Sequence, residues 1–125
     1  MNDKDLAVKR NSCARLFKHM SKIHRNCIRC VDLGAKPDMI KHEENKWRVC
    51  LRLRSLGHHF LTEAESLGGE HRADVVDLDE WEVIEIAVTE SLESLETKRK
   101  FWESQGLKFT TQYFGNETRT EEGYK

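Results

Sequence analysis

Residues 72–90 read RADVVDLDEWEVIEIAVTE, and this stretch decides the fold. Two short apolar runs rich in β-branched residues flank Asp79-Glu80, the composition of two strands joined by a tight, two-residue linkage. Such a connection predicts an antiparallel hairpin, HRADVVDL against WEVIEIAV. Each run carries an acid in its middle, Asp74 in one and Glu85 in the other, where a strand built only for packing would carry Val or Ile. Alternation sets Asp74 on the side of Val76 and Leu78, and Glu85 on the side of Val83 and Ala87. Adjacent strands of this kind can bring the two carboxylates side by side.

On the N-terminal side, HHFLTEAES alternates with a two-residue period from His58, and Gly68-Gly69 marks the turn into the hairpin. Before it lies a helical segment opened by Pro37, with Asp38 as its cap and Gly57 at its end. Ile40, Trp47, Cys50, Leu51 and Leu56 are expected to form its buried side. On the C-terminal side, Leu92, Leu95 and Trp102 restore helical spacing between Ser91 and Gln105, Gly106 follows, and LKFTTQYF reads as a fourth strand. The resulting expectation is an α/β (α+β) domain with a small mixed sheet, ordered helix, three strands, helix, strand over residues 37–114. Residues 1–36 read as a basic helical N-terminal extension, with apolar residues at helical spacing from Asp5 to Leu33, and residues 115–125 as a polar tail.

The totals fit this picture. A chain of 125 residues, 38% hydrophobic and 34% charged, makes one globular domain with a short appendage. Formal charge is −1, but residues 1–40 hold nine Lys/Arg against four Asp/Glu, so the basic third is placed to meet an acidic partner such as DNA. Arg15, Lys18, Lys22 and Arg25 carry that expectation, against the plainer reading of a solvated helix face. Leu16, Phe17, Met20 and Ile23 could instead form a homodimer surface. No apolar run is long enough to span a membrane, and no signal-peptide core is present, which suggests a cytoplasmic protein. Four cysteines within or beside helical patterns suit reduced thiols. Cys27 and Cys30 form one CxxC pair without a second, so helical packing is favoured over zinc. No P-loop or dinucleotide fingerprint is present, so no nucleotide cofactor is expected.

Two half-desolvated carboxylates held close repel one another, and a divalent cation removes that penalty. Converging hard oxygens suit Mg²⁺ or Mn²⁺, with waters and phosphate oxygens completing the shell. The plain alternative is a half-exposed sheet on which acids merely alternate with apolar residues.

With HEENKW, TEAES, RADVVDL and EVIEIAV in this order of elements, residues 38–114 resemble the PD-(D/E)XK nuclease superfamily, the restriction-endonuclease-like proteins, and particularly its small archaeal Holliday-junction-resolvase-like members. The resemblance implies a metal-dependent endonuclease acting on DNA phosphodiesters, structured or branched DNA included, and working as a homodimer. It implies Asp74 and Glu85 as metal ligands, Glu43 in support, and Glu63 as an additional acid near the site. Ala73 stands in place of the family's proline. The chain departs from the pattern at Ala87, where the family carries a lysine that orients water and offsets developing negative charge. Lys46 and Arg72 are the candidate substitutes. The alternative is a nuclease-fold protein that has lost catalysis and binds DNA or a protein partner.

Overall fold

The computed structural model describes residues 1–18 and 37–113. In chain order the elements are α1 (Asp3–Ala14), α2 (Pro37–Ser55), β1 (Phe60–Glu65), β2 (Arg72–Asp77), β3 (Glu82–Ala87), α3 (Leu92–Ser104) and β4 (Lys108–Tyr113). The strands form one mixed sheet in the order β1-β2-β3-β4, antiparallel between β1, β2 and β3 and parallel between β3 and β4. The expected α+β layout is therefore present, with α3 as the crossover that a parallel pair requires. Among the described residues no helix is long and apolar enough to cross a membrane.

Helices cover both faces. Val49, Cys50 and Leu53 of α2 pack on Val75, Ile84 and Ile86. On the other face Cys13 of α1, Phe17 and Trp102 of α3 pack on Leu61, Ala64, Ala73, Val76, Val83 and Phe109. Ser91 caps α3 by accepting the Ser94 amide. Helix α2 closes on Gly57, whose φ of 77° lets the His58 amide reach the Leu53 carbonyl and its own amide reach Arg54.

Several details differ from the sequence expectation. Pro37 and Asp38 are already helical, so Asp38 sits in the first turn and is not the cap. The buried side of α2 is Glu43, Lys46, Val49, Cys50 and Leu53, while Ile40, Trp47, Leu51 and Leu56 are exposed. Two stripes compete on this helix, and the one containing ions is buried because Glu43 and Lys46 neutralise each other there. Helix α1 ends at Ala14, well short of Leu33, and Phe17 forms a β-bridge with Ser66. Phe17 is buried against Trp102 at 5.4 Å between ring centroids, so it belongs to the core and is not available as a dimer surface. Met20, Lys22, Ile23, Arg25, Cys27, Cys30 and the polar tail lie outside the described residues. Strand β1 begins at Phe60, and the β2–β3 connection is a four-residue loop, Leu78 to Trp81, with Trp81 at φ 54°.

The sheet is irregular at one place. Strands β1 and β2 stay in register on either side of Glu63, through Thr62↔Val75 and Ala64↔Ala73, yet Glu63 has φ 52°. A left-handed non-glycine residue costs on the order of 1–3 kcal/mol. Facing shifts by one there: Leu61 and Ala64, and Val76 and Ala73, share one core although the members of each pair are separated by an odd number of positions. This shift overturns the expectation that Asp74 lies on the side of Val76 and Leu78. Strand β2 pairs with β3 only from Val75↔Ile84 to Asp77↔Glu82.

Candidate functional site

Where the β2–β3 ladder stops, the Asp74 side chain takes over from the backbone. Its Oδ2 accepts the Ile86 amide at 2.8 Å, so a carboxylate fills a place that a β2 carbonyl would occupy in a continued ladder. Its Oδ1 lies 3.2 Å from Nε2 of His42 on α2. The other nitrogen of His42, Nδ1, is 3.1 Å from Glu43 Oε2. Flanked by two acids, His42 has its pKa pushed up to about 9, mainly through the hydrogen bond to Asp74, in spite of its burial.

Glu85 follows on β3, beside the amide that Asp74 binds. It is 3% exposed. Burial, then the charge of Asp74, push its pKa up to about 8, against the pull of Lys98. The two carboxylates are thus electrostatic neighbours, although their ion partners come from different helices, α2 and α3. Lys98 Nζ reaches Glu85 Oε2 at 2.6 Å from α3 and also binds Glu90. Burial works against the charge on Lys98, but its bonds to Glu85 and Glu90 outweigh this and raise its pKa. The second oxygen of Glu85, Oε1, is buried and has no hydrogen-bond partner. Such an atom is costly and marks a place where a cation or proton would be held.

The remaining acids form a chain beneath α2. The fully buried ammonium of Lys46 lies 2.9 Å from Glu43 and 3.0 Å from Glu63. Arg72 Nε is 3.1 Å from the other oxygen of Glu63. Three of the four acids singled out from sequence, Glu43, Glu63 and Asp74, are therefore linked through His42 and Lys46 beneath α2, whereas the fourth, Glu85, has its ion partner on α3. The two cations expected to substitute for the missing lysine are engaged instead with Glu63, and neither is ion-paired with Glu85. The cation on Glu85 is Lys98. Arg15 and Lys18 are exposed beyond the end of α1.

Three residues of the site are invisible to a strand-centred reading: His42, Lys98 and Glu90. One signal for Lys98 is present in the sequence. It lies three residues after Leu95 and four before Trp102, the two buried residues of α3, so a lysine sits on an apolar stripe.

Mg²⁺ and Mn²⁺ often take one or two carboxylates and fill the other positions with water and phosphate oxygens. Of the two expected ligands, Asp74 has both oxygens occupied, by His42 of α2 and the Ile86 amide, and Glu85 is held from α3 by Lys98. The unpartnered Oε1 is the atom most ready to serve, whereas Asp74 would exchange His42 for the ion. Among the described residues no group of three or more His, Cys, Asp or Glu side chains gathers as a self-sufficient metal cage. Ala87, where the resemblance leads one to expect a lysine, is buried. Comparison with family models, with curated proteins and with solved structures returned no match. What this site can do is decided by the buried Glu85 carboxylate, the charge of Asp74 and the lysine that approaches Glu85 from the crossover helix.

Proposed function

We propose that this chain is a divalent-metal-dependent, nuclease-like domain of the PD-(D/E)XK kind that hydrolyses DNA phosphodiesters. The observation that carries the reading is the Glu85 carboxylate, buried, raised by burial and by Asp74, and left with one oxygen unpartnered. A metal held there would polarise the phosphate and lower the pKa of its water. Asp74 and Glu85 would hold the ion. Lys98 keeps Glu85 in place and supplies from α3 the positive charge that Ala87 does not. His42 and Glu43 orient Asp74 from the other side. The basic residues Arg15 and Lys18 are suited to backbone phosphates, and a second copy of the chain would allow paired cuts.

A second reading is a nuclease-fold protein that binds DNA or a protein partner without cutting. It is favoured by the internal satisfaction of Asp74, both of whose oxygens have protein partners. Linear, nicked and four-way-junction DNA incubated with Mg²⁺ or Mn²⁺ separates the two. Cleavage that is abolished by Asp74→Asn and reduced on the order of 10²-fold by Lys98→Ala supports the enzyme. Binding without cleavage under every metal condition would leave only the second reading.

A further inference from the structure

At the other end of β2, three residues beyond Asp74, a second histidine–aspartate pair faces a cavity that the proposed nuclease site does not use. Asp77 is 2% exposed, and its Oδ1 accepts the amides of Asp79 and Glu80 at 3.0 and 3.3 Å. Its Oδ2 lies 2.8 Å from Nδ1 of His58. A carboxylate only accepts, so the Nδ1 proton is committed to Asp77 and the Nε2 atom of His58 is left for another partner. His58 lines a cavity of about 430 Å³, together with Arg54, His59, Phe60, Leu61 and Leu78. That volume lies within the range of small-molecule sites, roughly 300–1,000 Å³.

The lining combines two kinds of chemistry. Arg54 at the end of α2 and His59 are exposed, and neither side chain has an ion pair among the described residues. The acids at this end of β2 are already occupied. Asp77 is held by His58, and Asp79 by Arg10, which also lines the cavity, in a two-pronged contact of 2.9 and 2.8 Å. The apolar part of the lining is Ala14, Phe60, Leu61 and Leu78. A guanidinium, an oriented imidazole and a second imidazole beside an aromatic and two leucines suit a ligand with an anionic end and a flat or apolar end.

The geometry points to a binding site for a small phosphate ester of mononucleotide type, its phosphate held by Arg54 and His58 and its base-like end against Phe60, Leu61 and Leu78. This site is separate from the Asp74–Glu85 pair and does not depend on the nuclease reading. Its test is a titration of the full chain with adenosine monophosphate, followed by backbone and imidazole NMR signals at about 0.15 M salt. Inorganic phosphate and a short DNA duplex are titrated in parallel. The expected result is saturable movement of Arg54, His58, His59 and Phe60 signals with a Kd of about 1 mM or tighter, and weaker movement with phosphate alone. Arg54→Ala changes an exposed residue without an ion pair, so the chain should stay folded, and it should weaken the binding about tenfold. A folded Asp74→Asn chain should bind as the wild type does. No saturation by about 10 mM, unchanged binding in Arg54→Ala, or loss of binding in folded Asp74→Asn overturns the assignment. So does movement of the same signals by duplex DNA with none by the mononucleotide, which would make the cavity part of a polymer track.

Discussion

Strand β2 carries two aspartates three residues apart, and each holds a histidine, yet the two ends behave differently. At Asp77 every oxygen has a partner and the acid closes the β2–β3 loop. Asp79 adds the His59 amide and Arg10 to the same scheme; burial opposes its charge, but these partners win and hold its pKa down. At Asp74 the strands part, Glu63 is left-handed, and Glu85 retains an unpartnered buried oxygen. One end uses its acids to finish the fold. The other tolerates a cost within the fold, and a cost maintained in a well-packed sheet is what a binding or reacting group requires.

Breaking the satisfied end should have the largest effect on stability. Asp77→Ala removes the acceptor for two amides and His58 and is expected to cost about 3 kcal/mol, read as a lowered urea midpoint with an unchanged slope. Glu85→Gln should act in the opposite direction. Because folding raises this carboxyl from its ordinary value to about 8, the wild type loses stability as pH climbs from about 4.5 to 8. The substitution removes that loss but also the pairing with Lys98. It should therefore stabilise the chain by about 1–2 kcal/mol at pH 8.5 and do little at pH 4. A destabilised Glu85→Gln at pH 8.5 would mean that the ion pair with Lys98 outweighs burial.

The two ends also differ in their response to pH. His42, raised to about 9, contributes stability that is complete below about 6.5 and lost as pH rises through 9. His42→Gln should flatten the alkaline half of the stability curve. Asp79, held below its ordinary range, contributes above that range and loses its contribution on acidification, so Asp79→Asn should soften the acid limb alone. Swapped outcomes, with His42 shaping the acid limb, would contradict the assignment of partners. The smallest effect concerns reactivity. Burial pushes the Cys13 and Cys50 thiols up to about 12 and 11, so a Cys27→Ser/Cys30→Ser chain should show negligible reaction with a thiol reagent at pH 8 until it is unfolded.

The sequence was most readable where one periodicity had no rival. The hairpin and its acids and the crossover helix follow from local pattern, and so does the order of the elements. The face of α2 was not readable, because Ile40, Trp47 and Leu51 make as good an apolar stripe as Val49, Cys50 and Leu53. Which one turns inward depends on Glu63 of β1, whose charge accompanies Lys46 into the interior. The side of Asp74 was hidden for a related reason: alternation fails at Glu63, a backbone irregularity that no residue type announces. Lys98 was overlooked because the partner of Glu85 lies on another element, brought back by the crossover.

That crossover has a consequence for the order in which the molecule assembles. Strands β1 to β3 form a local meander and can pair as soon as their loops close, whereas β4 can join β3 in parallel only after α3 has returned the chain. During synthesis Glu85 therefore emerges well before Lys98, and β3 remains an open edge until β4 arrives. The Glu85 carboxylate is in place before its counter-charge exists, and a chain truncated after β3 would present it bare on a strand with one open edge.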